Sequence, residues 1–248
     1  MTQHPLRRRP LLAAIGLVAF TAAPAPALAQ DGVVSEESAG GDGGFDISVS
    51  ATLVSDYRFR GISLSDRDPA AQGSVDLSYG GFYAGVWMSS IARTADTNVE
   101  ADIYAGYGGE AGPIAYEIGA IAYLYPGGDG TGGVYEATGS IAYTFGPATA
   151  RLRAHYAPDQ ENLAGDNFYL SAEARVGVPT TPFTLFAQAG RERGSFYGRK
   201  MDWSLGIAAI RGPFTASLGY FDTDLDGATS GLGRNAGSGI VASAGVQF

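Results

Sequence analysis

The stretch "DTDLDGATSGLG" sets Asp222, Asp224 and Asp226 two residues apart, with Gly227 directly after them. Alternating carboxylates ahead of a glycine begin a calcium-binding loop, where oxygen ligands surround the ion and the glycine makes the sharp turn. The twelfth place of that pattern calls for a glutamate but holds Gly233, and no helical periodicity flanks the stretch. It therefore reads as an acidic loop, with Asp222, Asp224 and Asp226 a weak Ca²⁺ candidate. Hydrolytic chemistry is poorer still. Beyond His4, His155 is the only histidine, and its segment "ARLRAHYAP" puts it on one parity with Arg151 and Arg153. No serine pattern stands opposite it, so a serine–histidine hydrolase is not expected. A lone histidine and no cysteine leave no ordinary transition-metal site, thiol nucleophile or disulfide framework. No enzyme activity and no cofactor are expected.

The remaining chemistry is charge at alternate positions. Asp76, Glu100, Asp102, Glu117 and Glu136 form an acidic set, and Glu173 stands among Arg151, Arg153 and Arg175. Arg58 and Arg60 are read as the end of the first strand. If these side chains share an enclosed face, two readings stay open. They line a narrow polar channel with a transverse field, or they neutralise one another as a salt-bridged plug.

The elements that would position these charges are strands. In "FDISVSATLVSDY" (45–57), Phe45, Ile47, Val49, Ala51 and Leu53 alternate with Asp46, Ser48, Ser50 and Thr52. "AQGSVDLSY", "NVEADIYAGY" and "FYLSAEARVGV" repeat this period of two over about ten residues, the length of a tilted strand across a bilayer. "FYAGVWMSSI" is apolar on both faces, which leaves its register open. Five short connections, at 80–81, 108–113, 146–147, 179–182 and 212–213, alternate with six longer polar ones. The longer ones include "RGISLSDRD", "ARTADTN" and "RERGSFYGRK". Together they join twelve strands, short turns at one rim and long loops at the other. The expected fold is all-β: a transmembrane antiparallel up-and-down β-barrel of about 12 strands over residues 45–248.

Outward aromatics gather at both rims. Phe45, Tyr79, Phe82, Tyr107, Tyr143, Phe145, Phe183, Phe214 and Phe248 lie near the short turns. Tyr57, Tyr135, Tyr156, Phe168, Trp203 and Tyr220 lie near the long loops. Such girdles flank the lipid-facing band of outer-membrane barrels. The alternation of "IVASAGVQF" runs to Phe248, and this ending is similar to the C-terminal signal read by the barrel-assembly machinery.

The N-terminus reads as a signal peptide, residues 1–29. Arg7, Arg8 and Arg9 precede the apolar "PLLAAIGLVAF", and Ala27 and Ala29 supply small residues before the cut. Residues 30–44 are acidic and Gly-rich and are expected to be a disordered leader. The formal charge of −9 becomes −12 once the three leader arginines are removed. That charge argues against nucleic acid as a partner. Outer-membrane lipid and small polar solutes are the expected partners, and the bacterial outer membrane is the expected location.

The stretch "SDYRFRGISLSDRDPAAQGSVDLSYGGFYAGVWMSS" (55–90) resembles the opening motif of the TorF-type porins, also known as Gcw_chp proteins. The matching residues are the Ser55–Asp56–Tyr57–Arg58 run, Arg60–Gly61–Ile62–Ser63, Asp68–Pro69, Gln72–Gly73, Gly81–Phe82–Tyr83, Gly85 and Trp87. Leu64–Ser65 replaces a common Gln-Thr, and Ser90 a common Asn. The resemblance implies an outer-membrane porin and carries no substrate or catalytic residue with it. The expected function is passive passage of small polar solutes. The alternative is a plugged structural or adhesive barrel acting through its extracellular loops.

Overall fold

A computed structural model describes residues 44–94, 97–127 and 133–248. The expected signal peptide (1–29), and all of the expected leader except Gly44, lie outside the described residues. The strands are β1 (Phe45–Val54), β2 (Arg58–Phe59), β3 (Ile62–Ser63), β4 (Ala70–Tyr79), β5 (Phe82–Thr94), β6 (Thr97–Ala111) and β7 (Ile114–Leu124). They continue with β8 (Val134–Phe145), β9 (Ala148–Ala157), β10 (Asn167–Gly177), β11 (Phe183–Gly194), β12 (Gly198–Arg211), β13 (Phe214–Thr223) and β14 (Gly239–Gln247). All but β2 and β3 form one closed antiparallel barrel of twelve strands, each beside its neighbour in sequence. The seam joins β1 to β14, from Ser50 opposite Gln247 to Val54 opposite Ser243.

Local chemistry explains the tight rim. Gly80 and Gly81 both sit at positive φ (56° and 89°), the conformation a two-residue hairpin turn needs to match strand twist. Gly112, Gly146 and Gly212, also at positive φ, each precede a proline whose ring sets the next φ.

The alternation sorts side chains by face. The outer face is a continuous apolar belt. Ile240 is 72% exposed and Phe248 77%, and the predicted girdle residues are exposed at both rims, apart from Tyr57. Water would not tolerate so broad an apolar surface on a monomer. A bilayer would, because a closed barrel pairs its backbone without an edge. The ambiguous segment β5 turns Phe82, Val86 and Met88 outward and Tyr83, Trp87 and Ser89 inward. Inside, tyrosines lie over cross-strand glycines. A Cβ on Gly85 would stand 2.6 Å from the Tyr104 hydroxyl, so only glycine leaves room for that ring.

Three expected details differ. Strand β1 ends at Val54, and residues 56–65 turn into the barrel, so only the end of the expected exterior loop stays at the surface. Tyr57 is therefore not a lipid-facing girdle residue. It is 2% exposed, inside, with its ring 5.4 Å from that of Trp87. The cause is a hairpin: Arg60 and Gly61 at φ 48° and 83° reverse the chain between β2 and β3. The connection expected across 191–200 is mostly strand, since β11 runs to Gly194 and β12 starts at Gly198. Likewise, strand structure reaches Thr94 and resumes at Thr97 within the expected loop 92–98.

Candidate functional site: the charged barrel interior

The inward hairpin crosses the barrel. It leaves β1 and reaches β8, β11 and β12, which lie across the sheet order from it. At its tip the Arg60 guanidinium meets Glu136 on β8 at 2.6 Å and Glu192 on β11 at 2.7 Å, all three fully buried. Its carbon lies 4.4 Å from the centroid of the Tyr169 ring and 4.6 Å from that of Phe59. Lys200 on β12 donates to the Arg60 carbonyl at 2.6 Å and pairs with Asp202 at 2.9 Å and Glu192 at 3.2 Å. Tyr123 donates to Glu136 at 3.0 Å, His155 lies 3.1 Å from the same carboxylate, Asn167 donates to Glu192, and Tyr169 to Asp202. Burying ions is costly, and it is offset here because most of these carboxylates meet a cation and further donors.

The base of the hairpin is tied as well. Arg58 pairs with Asp56 at 2.8 Å and donates to the carbonyls of Gly61 and Gly237. The Ser63 hydroxyl donates to Asp56 at 2.6 Å. On the outside, Arg234 pairs with Asp66 at 3.2 Å, linking this segment to the last loop. The hydrogen bond and charge of Arg234 hold the exposed Asp66 carboxyl below its ordinary value.

The half nearer the short turns differs. Arg151, Arg153, Glu173 and Arg175 face inward and are only half-buried. Arg175 pairs with Glu173, which also feels Arg153 and Arg151, and the register sets Glu173 opposite Arg151. Glu117 accepts from Tyr83 at 2.6 Å. Asp76 accepts hydrogen bonds from Tyr104 and, at 2.8 Å, from Ser74.

The sequence-predicted residues thus divide into two groups. Arg58, Arg60, Glu100, Asp102 and Glu136 lie in the buried half toward the loops, with His155 beside them, and Glu117, Arg151, Arg153, Glu173 and Arg175 in the more open half, which also holds the buried Asp76. Sequence reading missed Glu192, Lys200 and Asp202, which the hairpin tip contacts. Parity held the clue: Gln188 and Glu192 keep one phase along β11, as do Lys200, Asp202 and Ser204 along β12.

Asp222, Asp224 and Asp226 are engaged locally. Asp222 accepts from Tyr220, Asp224 from the Met201 amide, and Asp226 caps a short helix α1 (Gly227–Ser230) through the Ala228 and Thr229 amides. Among the described residues no three His, Asp or Glu groups converge as a metal-holding set.

A closed barrel with an apolar outer belt and a charged interior has the architecture of an outer-membrane β-barrel protein. The family model for bacterial proteins of unknown function, Gcw_chp, matches residues 38–244, and the chain belongs to this family. No curated protein matches it in sequence. Its fold is similar to the KdgM porin, with a TM-score of 0.57 and 9% identity over 81% of this chain and 98% of that one. It also resembles the COG4313 outer membrane channel from Pseudomonas putida F1, with a TM-score of 0.53 and 11% identity over 88% of this chain and 100% of that one. The NanC porin gives a TM-score of 0.52 and 14% identity over 82% and 99% of the two chains.

Proposed function

We propose that this barrel is a porin for the passive passage of small polar solutes, narrowed toward the loops by its own inward segment. The supporting observation is the half-buried, inward set Arg151, Arg153, Arg175 and Glu173 in the half nearer the short turns. Water-reachable charge in an otherwise lipid-clad cylinder suits polar solutes, and its basic excess favours anions. Asp76 and Glu117 flank this set, and the buried Arg58, Arg60, Glu100, Asp102 and Glu136 pack around the inward segment that narrows the passage. Phe248, exposed at the end of the closing strand, suits recognition by the barrel-assembly machinery. The function is tested by reconstituting refolded protein in planar bilayers. Steady conductance steps are expected, and folded, heat-modifiable protein that gives a silent bilayer overturns the proposal.

A further inference from the structure

Nearly every buried carboxylate among the described residues faces a cation or hydroxyl donors. Asp56 has Arg58, Glu136 has Arg60, Glu192 has Arg60 and Lys200, and Asp202 has Lys200. Asp76 has two hydroxyl donors. Glu100 and Asp102 are the exception. They stand two apart on β6 and so share its inner face. Both are buried, Asp102 at 0% exposure, and neither forms an ion pair with a described Lys or Arg. Their negative charges act on each other, and Glu136 adds a third. Three of their four oxygens, Glu100 Oε2 and both of Asp102, have no hydrogen-bond partner among the described residues. The fourth accepts a long 3.3 Å bond from the Tyr57 hydroxyl.

Two adjacent carboxylates cannot remain ionised in a dry interior without positive charge beside them. The Asp102 carboxylate is fully buried and has no hydrogen-bond partner among the described residues, so its charge needs an ion. The surroundings are oxygen donors and aromatic walls: Tyr57 above Glu100, Ser89 opposite Glu100 in register, and Trp87 and Tyr123 flanking Asp102. Such a site lacks the nitrogen and sulfur ligands that select transition metals. It suits a hard divalent cation of the Ca²⁺ or Mg²⁺ class, which takes oxygen ligands and keeps water in its remaining positions.

We infer that Glu100 and Asp102, with the Tyr57 hydroxyl, form a binding site for one hard divalent cation inside the barrel. Because Tyr57 belongs to the inward segment and Glu100 to the wall, the ion ties that segment to β6. Ion binding here depends on the buried charge and not on conductance, so a silent bilayer leaves the site intact.

Refolded protein is stripped with EDTA in detergent and titrated with CaCl₂ and, separately, MgCl₂. Calorimetry and thermal unfolding are both recorded. Saturable uptake of one ion per chain by at least one salt, with a raised unfolding midpoint, is expected. Glu100→Gln combined with Asp102→Asn should abolish both. The double variant should also unfold no earlier than ion-free wild type, since it removes a repelling pair. Glu100→Gln alone is the fallback if the double variant does not fold, and should weaken uptake at least tenfold. Asp224→Asn, in the exterior acidic loop, should leave uptake unchanged. No stoichiometric uptake of either ion by wild type overturns the site, as does uptake that survives the Glu100 and Asp102 changes or is lost with Asp224→Asn. Stabilisation of wild type by low pH in place of added ion also overturns it, since protons would then be the compensation.

Discussion

Arg60 and Glu136 meet at 2.6 Å in the barrel interior, both fully buried, although 76 residues separate them in sequence. The contact holds the inward segment to the opposite wall. Removing the guanidinium would leave Glu136 with His155 and Tyr123 alone, and Glu192 with Lys200 and Asn167. Breaking a buried pair by deleting one partner costs about 3–5 kcal/mol. Arg60→Met is therefore expected to lower the urea midpoint of the folded barrel clearly. A midpoint equal to wild type would show that the contact contributes nothing.

Selectivity should follow the more open half. Arg151 and Arg153 are inward and half-buried on β9, near Glu173. Replacing both with glutamine is expected to move the reversal potential in a salt gradient toward cations, because a low-dielectric wall screens fixed charge poorly. Unchanged selectivity with a lowered unfolding midpoint would make these arginines structural partners of Glu173 instead.

Orientation is expected to follow the rims. Short turns of outer-membrane barrels face the periplasm. Cysteines placed at the exposed Asp159 and Gly231 should react with an impermeant maleimide on intact cells, and one at the exposed Pro147 should not. The opposite labelling pattern would invert the topology.

Phe248 closes the last strand, with its amide and carbonyl bonded to Val49 on β1. Phe248→Ala keeps those backbone bonds and removes the exposed ring. Less heat-modifiable barrel in the outer membrane is expected, and wild-type levels would reject a role for the ring in assembly.

The Asp66–Arg234 pair gives a pH dependence. Arg234 lowers the folded-state value of Asp66, first through its hydrogen bond and then through its charge. The stabilisation is therefore present above the ordinary carboxylate range and is lost as pH falls through the lowered folded value. Both groups are exposed, so the effect is small. A carboxylate NMR titration should show the Asp66 midpoint rising toward its ordinary value in Arg234→Gln, and an unmoved midpoint would rule out the pairing.

Most of the barrel was legible because its rules are local. Phe45 to Leu53 alternate without error, Gly80–Gly81 can only be a tight turn, and the chain holds phase to Phe248. The inward segment was not legible. Tyr57-Arg58-Phe59-Arg60 continues the alternation of β1, so its parity looks like more strand or a rim. What turns it inward are partners far along the chain, Glu136, Glu192 and Lys200. Glu192 and Lys200 hid for a different reason: they lie in "RERGSFYGRK", whose charge and glycines look like a loop although the period of two persists through it. The isolation of Glu100 and Asp102 has no sequence signal, because it depends on which folded cations lie beside them.

The seam has a kinetic meaning. Strand β1 makes ten residue pairs with β4 but five with β14. Hairpins between neighbours close short loops, whereas the seam must bring together the two ends of nearly the whole barrel, at the largest loop-closure entropy. A growing sheet therefore spends its longest wait with Val54 and Ser243 apart. The same short ladder offers the fewest backbone bonds to break, so unzipping starts there too. The lifetime of the closed barrel in its membrane then depends on a few residues at this edge, beside the Arg58–Asp56 pair at the base of the inward segment.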